Sequence, residues 1–276
     1  MQLLVASRKN KIREGRKEGR NEEKKRDMET MSFKFSKIRT LETGYNSGPW
    51  NMALDEVLMN CINYHSMPIL RIYGWQPPAV SIGYFQSMDE EVDTKRCRQM
   101  GIDVVRRITG GGAVLHESEL TYSFITNAYP KNIMESYNLI CDAIVMCVNK
   151  LGFNAKFVPL NDIIVNGKKV SGNAQTRKKD TLLHHGTILL NVNLEKMFSV
   201  LKVPSEKVKD KMIDDAKGRV MGLNKTFEQV AYNLKESFSE KFGAEIIVDD
   251  LTIKEEESTK KLAKEKYTSD QWNRKK

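Results

Sequence analysis

The stretch RRITGGGAVLHE, Arg106–Glu117, is the most distinctive part of the chain, and the interpretation of the rest depends on it. It follows the β-branched run Ile102–Val105 and precedes the alternating segment Leu120–Ile125, which predicts two strands joined as a hairpin. Successive glycines destabilise a strand interior, because they lose much chain entropy and pack no side chain. They suit a backbone that lies against a ligand, and arginines offer forked donors to a carboxylate or phosphate. On its own, however, the stretch favours a structural bend with solvated arginines.

Length and composition indicate a globular protein. The chain has 276 residues, of which 40% are hydrophobic, enough for one large domain or two small ones. No apolar run approaches the ~18 residues that indicate a membrane-spanning helix, and residues 1–6 are too short for the apolar core of a signal peptide. The four cysteines form no CxxC pair and have no histidine at metal-ligand spacing. We therefore expect a cytoplasmic protein with buried free thiols and no membrane partner.

The charge distribution separates a tail from the body. Of the net charge of +9, residues 1–30 contribute +4, since they hold ten Lys/Arg and six Asp/Glu, which leaves +5 on the rest. This modest excess permits acidic partners, but no basic stripe interleaved with aromatics indicates nucleic-acid binding. Residues 1–30 are predicted to be a disordered charged tail, because they have almost no apolar anchor. Globular sequence begins at Met31, a candidate start, and the tail's acidic residues argue against a mitochondrial transit peptide.

Hydrophobic periodicity predicts an α+β fold, a mixed β-sheet with packed helices. Asn166–Gly167 is the strongest hairpin signal in the chain, and no GxGxxG motif, Walker motif or internal repeat is present. The predicted helices are 50–62, 89–100, 136–151, 226–242 and 255–266, with helical sequence broken by Pro204 between 194 and 220. The predicted strands are 37–43, 68–73, 79–85, 102–105, 120–125, 157–158, 162–165, 168–175, 182–191 and 245–248.

Three segments in order resemble the lipoate–protein ligase branch of the biotin/lipoate ligase superfamily, over residues 31–273. The first is Arg106–His116, which resembles the family's RRxSGGGAVxHD segment. The second is Asn161–Asp162 followed by Gly167–Gln175, which resembles ND…GKKxSGxA. The third is His184–Leu190, which resembles HHGTLL. Each segment alone is weak evidence, whereas three in order at suitable spacing are specific, and they imply the catalytic-domain fold of that superfamily.

The resemblance implies a two-step reaction in one catalytic domain, residues 31–276. ATP and lipoate, or octanoate, first give an acyl-adenylate and pyrophosphate with the help of Mg²⁺. The acyl group then passes to a lysine ε-amine of a lipoyl-domain protein, such as the glycine cleavage H protein or the acyltransferase subunits of 2-oxoacid dehydrogenases. The first step brings a carboxylate to an anionic phosphate, so it needs cations and N–H donors around both.

The resemblance also implies roles for single residues. Lys169 would be the catalytic cation that bridges carboxylate and phosphate oxygens. Arg107 and the backbone of Gly110–Gly112 would hold the acyl carbonyl and the adenylate, while Asn161 and Asp162 would ligate Mg²⁺ through oxygen. The full lipoate- and adenylate-binding set is Arg107, Thr109, Gly110, Gly111, Gly112, Ala113, Lys169, Gly172, Ala174 and, lining the site after the glycine turn, His116.

Some residues near these segments have plainer interpretations. Ile72, Val80 and Ile82 could form a wall for the acyl chain, although each fits a plain core position more readily. His184 and His185 look like metal ligands, but adjacent residues of a strand point to opposite faces of the sheet. The two histidines are therefore expected not to serve one site together, and to be either structural or a support for the residues that line the site.

Other features resemble the related octanoyltransferases, which need no ATP and pass the acyl group through a cysteine thioester. The short turn within Glu117–Ser123 and the segments Ser47–Glu56 and Tyr73–Trp75 resemble that branch. Its cysteine would fall within Val158–Asp162, where this chain has none, and it commonly has arginine at the position of Gly112. These residues favour an ATP-dependent lipoate–protein ligase, with an octanoyl/lipoyl protein acyltransferase as the alternative.

The sequence ends shortly after Trp272–Asn273, where long ligases continue into a small accessory domain. In this respect it resembles bipartite ligases, whose accessory domain is a separate polypeptide. We therefore expect an accessory-domain partner, without which acyl-adenylate would form poorly. A non-catalytic binding protein is disfavoured by the intact Lys169 and glycine segment, and a biotin ligase by the absence of a GRGRxxR-type loop.

Overall fold

The computed structural model describes residues 33–62, 67–202 and 206–275, without the side chains of 206–211. The predicted tail, Met31 and Pro204 lie outside these residues. Residues 35–276 form one compact unit. Its helices are α1 (Gly48–Cys61), α2 (Met88–Glu91), α3 (Thr94–Gln99), α4 (Ile133–Lys150), α5 (Leu194–Val200), α6 (Glu206–Arg219), α7 (Phe227–Phe242), α8 (Ile253–Leu262), which continues into a π-helical turn (Ala263–Tyr267), and α9 (Asp270–Asn273).

The strands form two sheets, which confirms the α+β prediction. They are β1 (Lys37–Asn46), β2 (Ile69–Trp75), β3 (Ala79–Ile82), β4 (Asp103–Arg106), β5 (Val114–His116), β6 (Glu119–Thr126), β7 (Ala155–Val158), β8 (Asp162–Val165), β9 (Lys168–Lys178), β10 (Thr181–Leu189) and β11 (Glu245–Asp249). The large sheet has the order β11-β1-β2-β6-β10-β9-β8-β7, and the small sheet has the order β4-β3-β5. In the large sheet β1 is parallel to β2 and β11, and the remaining pairs are antiparallel.

Helices cover both faces of the large sheet. On one face, Leu54 and Leu58 of α1 pack with Ile125 of β6 in a cluster of buried aliphatic residues. On the other, the rings of Phe124 in β6 and Phe238 in α7 lie 5.1 Å apart. Successive strand residues point to opposite faces, so neighbouring residues of β6 serve two different cores.

The predicted hairpin around the glycine segment is wrong, because β4 and β6 belong to different sheets. The predicted strand 79–85 ends at Ile82, where the backbone meets the glycine segment: a Cβ on Gly83 would lie 2.0 Å from the carbonyl oxygen of Gly111. The predicted helix 89–100 is two helices, since Val92 is extended and pairs with Leu201.

The structure confirms the predicted turn at Asn166–Gly167 and the predicted helix that ends at Phe242. Asn166 and Gly167 have φ values of 50° and 77° in the turn that joins β8 to β9, the left-handed conformation that this pair favours. Helix α7 begins with a capping box between Thr226 and Gln229 and ends at Gly243 with φ of 61°. In the described part of the chain, no helix has the length and apolar character needed to cross a membrane.

Candidate functional site

A cavity of about 340 Å³ lies between the small sheet and the β9–β10 part of the large one, within the size range of ligand sites. Its lining is apolar at Met52, Trp75, Leu115 and Leu189 and polar at Ser81, Arg107, His116, Glu119, Lys169 and His185. The predicted site residues that line it are Arg107, Gly111, Gly112, Ala113, His116, Asn161, Lys169, Gly172 and Ala174. Thr109, Gly110 and Asp162 are not among the lining residues.

Arg107 holds the glycine segment in place. Its guanidinium donates to the carbonyl oxygens of Gly110 (2.8 Å) and Gly112 (2.7 Å) and to the carbonyl and hydroxyl oxygens of Ser81 (3.0 Å each). With a further bond from Nε to Gly110, all five N–H donors are used. In this structure the guanidinium is bonded to the protein itself, and its binding of the acyl carbonyl stays a prediction. Burial lowers the pKa of Arg107 to about 10, so it remains a cation at neutral pH.

Only one of the three glycines needs the left-handed conformation, Gly111 with φ of 96°. A Cβ there would lie 2.9 Å from Arg107 Nη2. A Cβ on Gly110 or Gly112 would meet no atom within 4 Å. The missing side chain of Gly112 is therefore no evidence for one enzyme branch over the other, because the position has room for a larger residue.

Arg106 does not reach the cavity. Its side chain is fully buried and donates to the carbonyl oxygens of Gly83 and Gln86 on one side and of Asn273 and Lys275 on the other. It therefore ties the turn after β3 to the C-terminal segment. Of the two arginines singled out by the sequence, one supports the glycine segment and the other fastens the end of the chain.

Lys169 pairs with Asp162, at 2.7 Å between Nζ and Oδ1, an ion pair without hydrogen-bond geometry. Its side chain lies against Gly172, where a Cβ would come within 2.8 Å of Nζ. A register shift between Ile163 and Ile164 adds a residue to β9 here. The glycine in the GKKVSG segment therefore makes room for the lysine.

The residues predicted as Mg²⁺ ligands make other contacts in this structure. Asp162 is neutralised by the Lys169 ammonium, and the Asn161 amide donates to the carbonyl of Asn173, which returns a bond to the Asn161 carbonyl. Among the described residues, no group of three or more His, Cys, Asp or Glu side chains could hold a metal ion. The hydrogen bonds between Asn161 and Asn173 hold the loop that precedes β8 against strand β9.

Thr109 belongs to a buried polar network beneath the glycine segment. Its hydroxyl lies 2.7 Å from Nε2 of His185, and Nδ1 of His185 lies 3.2 Å from Asp55. Asp55 accepts from Arg71 (2.7 Å) and Ser123 (2.8 Å). Burial alone would raise the pKa of Asp55, but the charge of Arg71 and the hydrogen bonds lower it overall. This network links helix α1 to three strands of the large sheet.

His184 and His185 point to opposite faces, as predicted. His185 lines the cavity, whereas His184 lies on the other face, 4.0 Å from the Sγ of Cys141. Burial lowers the pKa of His184 to about 3, so this imidazole is neutral. The two residues therefore serve a network beside the cavity and a core behind it.

His116 is fixed on three sides. Its Nε2 lies 2.8 Å from the hydroxyl of Ser81, and its Nδ1 lies 2.7 Å from a carboxylate oxygen of Glu119. The ring stacks on Trp75, with centroids 4.0 Å apart and 14° between the planes. A hydroxyl, an imidazole and a carboxylate thus form a hydrogen-bonded row on the cavity wall.

No thiol reaches the cavity. The four cysteines of the sequence all fall in described ranges, and none is among the lining residues. Burial raises the pKa of each thiol, which disfavours the reactive thiolate. The expectation of buried free thiols holds for Cys97, Cys141 and Cys147, and Cys61 is partly exposed.

Ile72, Val80 and Ile82 occupy core positions, as the sequence favoured, and the alternative of a wall for the acyl chain is wrong. All three are buried and none lines the cavity. Val80 and Ile82 pack with Cys97 in a core cluster on the far face of the small sheet. Strand alternation sends these two away from the cavity and sends the intervening Ser81 towards it.

Comparison with known proteins identifies the family. Residues 47–243 match the family model described as the lipoyl protein ligase A/B catalytic domain. The chain belongs to this family. Octanoyltransferase LipM of Geobacillus kaustophilus is similar to this family member, at 36% identity over 85% of this chain and 97% of the relative.

Two solved structures support the fold of this family. The bipartite lipoate protein ligase of Thermoplasma acidophilum, studied with its E2 lipoyl domain, has a TM-score of 0.82 at 32% identity, covering 87% of this chain and 96% of the other. A lipoate–protein ligase A bound with ATP has a TM-score of 0.74 at 30% identity, covering 86% and 98%. The predicted superfamily and its catalytic-domain fold are confirmed.

The prediction of an ATP-dependent ligase is wrong. Identity is higher to the octanoyltransferase, at 36%, than to these two ligases, at 32% and 30%. The prediction weighed a missing cysteine and the small Gly112 above the short turn after His116. The structure removes the argument from Gly112, and the short turn proves to be the more informative feature.

Sequence reasoning missed Asp55, Trp75, Ser81 and Glu119 as parts of the site and its support. Ser81 could have been found from its place as the polar residue between Val80 and Ile82, which marks the inward face of a strand. The pairing of Asp55 with Arg71, across 16 residues of chain, had no signal in the sequence.

Proposed function

We propose that this chain is a protein acyltransferase and that residues 31–276 form its catalytic domain. It moves an octanoyl or lipoyl group from a carrier thioester to the ε-amine of a lysine on a lipoyl domain. The observation that carries the proposal is the 36% identity to an octanoyltransferase that is matched over 97% of its length. The donor is already activated as a thioester, so the transfer uses neither ATP nor Mg²⁺.

The cavity supports an acyl substrate. Its volume of about 340 Å³ lies near the lower end of the range for small-molecule sites, about 300–1,000 Å³. Apolar side chains such as Met52, Leu115 and Leu189 offer contacts to a medium-length hydrocarbon chain. More of the exposed cavity surface is apolar than polar, as expected where polar groups orient a reacting carbonyl group and the acyl chain lies in apolar surroundings.

Lys169 keeps a central role in this reaction. Its ammonium lines the cavity and is half-exposed beside Asp162. Attack on a thioester places negative charge on the carbonyl oxygen, and a nearby fixed cation stabilises that charge. We assign Lys169 to this oxygen, with the Gly111–Gly112 backbone forming the adjacent wall. The remaining predicted cavity residues, Ala113, Gly172 and Ala174, shape the acyl pocket.

The proposed partners are a donor and an acceptor. The acceptor class is lipoyl-domain proteins, namely the glycine cleavage H protein and the acyltransferase subunits of 2-oxoacid dehydrogenases. The bipartite ligase of Thermoplasma acidophilum, which has the same fold, was studied with an E2 lipoyl domain. An accessory-domain polypeptide was predicted as a partner for acyl-adenylate formation. Since the proposed transfer has no adenylation step, it requires no such partner.

A single assay tests the proposal. The purified chain is incubated with an unmodified lipoyl domain and the octanoyl thioester of acyl carrier protein, without ATP, and the acceptor is measured by intact-protein mass spectrometry. We expect a mass increase of one octanoyl group, lost when the acceptor lysine is replaced by arginine. A parallel reaction contains free octanoate, ATP and Mg²⁺. Modification in the second reaction and none in the first overturns the proposal.

A further inference from the structure

Ser81, His116 and Glu119 form a row that the acyltransferase function leaves without a role. Ser81 Oγ lies 2.8 Å from His116 Nε2, and His116 Nδ1 lies 2.7 Å from Glu119 Oε1. All three line the cavity and are buried, with exposed fractions of 1%, 5% and 5%. A hydroxyl, a base and a carboxylate that orients the base are the parts of an activated oxygen nucleophile.

The surrounding groups set the direction of the hydrogen bonds. A carboxylate can only accept, so Glu119 accepts a hydrogen bond from the N–H at His116 Nδ1. Its other oxygen accepts from the Glu117 amide at 2.9 Å. In a neutral imidazole, Nε2 then carries no proton, and Ser81 donates to it. Arg107 can only donate, and Nη1 donates to the same Ser81 oxygen at 3.0 Å. The hydroxyl proton thus points to a base, and a cation faces the oxygen.

The fold holds this row in place before any substrate binds. On the antiparallel pair β3–β5, Ser81 is opposite Val114, so Ser81 and His116 are diagonal neighbours on one face. The short turn after β5 brings Glu119, the first residue of β6, within reach of the imidazole. The indole of Trp75 stacks on the ring. These supports lie on strands, which position side chains more exactly than loops do.

We propose that Ser81 is the nucleophile that carries the acyl group between donor and acceptor, a step that rests on the acyltransferase function proposed above. Ser81 Oγ attacks the thioester carbonyl carbon while its proton moves to His116 Nε2. The C–S bond breaks, and the leaving thiolate takes that proton and departs as a thiol. The acyl group is now an ester of Ser81.

The second half of the reaction restores the enzyme. The neutral lysine ε-amine of the acceptor attacks the ester carbonyl carbon and gives a proton to His116. The C–O bond breaks, Ser81 Oγ recovers the proton, and the product is an amide. Glu119 acts through His116 as a positioning residue, and the Arg107 guanidinium stabilises negative charge on the serine oxygen.

The direct test is to trap the acyl-enzyme. Wild-type chain is incubated with the octanoyl donor and no acceptor, quenched in acid, and analysed by intact-mass and peptide mass spectrometry. We expect one octanoyl group on the peptide that contains Ser81. The bond is expected to resist neutral hydroxylamine, which cleaves thioesters, and to yield to alkaline hydroxylamine, which cleaves oxygen esters.

Variants separate the nucleophile from its surroundings. Ser81→Ala is expected to lose the acyl-enzyme and at least 100-fold in transfer rate, because removing a nucleophile leaves only binding and charge stabilisation. Ser81→Cys is expected to recover acylation, now with a bond that is sensitive to neutral hydroxylamine. Ser237→Ala is the matched control: the hydroxyl of Ser237 is buried in α7 without a hydrogen-bond partner among the described residues, and its loss leaves acylation unchanged.

The two proposals fail in different ways. A wild-type chain that does not transfer octanoyl from the carrier at all overturns the acyltransferase function and, with it, the role of Ser81. A wild type that transfers normally, while Ser81→Ala is equally fast or the acyl group is found on Lys169 or a cysteine, overturns the Ser81 nucleophile alone.

Discussion

The hydroxyl oxygen of Ser81 receives a hydrogen bond from Arg107 at 3.0 Å and lies 2.8 Å from Nε2 of His116. One oxygen atom thus lies between a permanent cation and a potential base. The same guanidinium holds the carbonyl oxygens of Gly110 and Gly112. The shape of the glycine segment and the environment of the hydroxyl are therefore set by one side chain.

Replacing Arg107 by lysine is expected to disturb both the glycine segment and the environment of the Ser81 hydroxyl. Lysine keeps the charge but has no planar fork, so it cannot hold the serine and the glycine carbonyls at once. We expect a loss of about 2–4 kcal/mol in the free energy of unfolding, since several buried acceptors are left unpaired, and a transfer rate reduced more than stability accounts for. Urea unfolding and steady-state transfer assays measure the two effects. A variant with wild-type stability and rate contradicts the clamp role.

Glu119→Gln tests the carboxylate behind the imidazole. Glutamine has the same shape but no charge, and it can present an amide group to His116 Nδ1, which favours the wrong tautomer. We expect kcat for transfer to fall by roughly 10²–10⁴-fold, the scale of general-base catalysis, while KM for the donor stays within a small factor. A rise in KM at unchanged kcat indicates a binding role instead.

Two variants, Lys169→Ala and Asp162→Asn, test the two partners of the ion pair between Lys169 and Asp162. Alanine removes the cation, and we expect a fall of about 10²–10³-fold in kcat, as for loss of one oxyanion donor. Asparagine keeps the cation and removes only its half-exposed partner, so the free energy of unfolding is expected to change by less than about 1 kcal/mol. Equal transfer rates in the wild type and Lys169→Ala contradict the role assigned to this lysine.

Gly83→Ala tests the contact between the end of β3 and the glycine segment. Its Cβ would lie 2.0 Å from the Gly111 carbonyl oxygen, so backbone must move, at a cost of about 1–3 kcal/mol. Gly112→Ala, whose Cβ would meet nothing within 4 Å, is the stability control. Thermal unfolding by circular dichroism is expected to show a lower melting temperature for the first variant only.

His184 makes stability depend on pH. Its pKa is about 3 in the native state because of burial, against about 6.5 in an unfolded chain. As pH falls below about 6.5 the unfolded state binds a proton that the native state refuses, so stability decreases between about pH 6.5 and 3. We expect urea unfolding across this range to show a shallower decrease for His184→Gln. Parallel curves for variant and wild type contradict this assignment.

Several local features could be predicted because their causes are local. Asn166–Gly167 determines its own turn, and Thr226 with Gln229 caps α7 through bonds three residues apart. The hairpin predicted around the glycine segment was wrong because the flanking strands pair with other strands and not with each other. Strands β4 and β5 both pair with β3, whereas β6 belongs to the large sheet. Long-range pairing depends on which partner each strand finds, and a single sequence does not record it.

The candidate site could likewise be predicted only in part. Lys169, His116, Gly111 and Gly112 were predicted as site residues because they lie in segments that resemble the family, and all four line the cavity. Ser81 and Glu119 were missed, since a serine in a strand and a glutamate after a turn are ordinary residues until the fold brings them to one histidine. Their chemistry comes from the pairing of β3 with β5 and from the short turn that follows.

The position of the row across the two sheets has a consequence for inactivation. Ser81 and His116 belong to the small sheet, whereas Glu119 and Lys169 belong to the large one. A shift of one sheet against the other would separate the carboxylate from the imidazole while every strand keeps its own hydrogen bonds. Turnover is therefore expected to disappear at a lower temperature than the circular dichroism signal, and on cooling it should return without refolding.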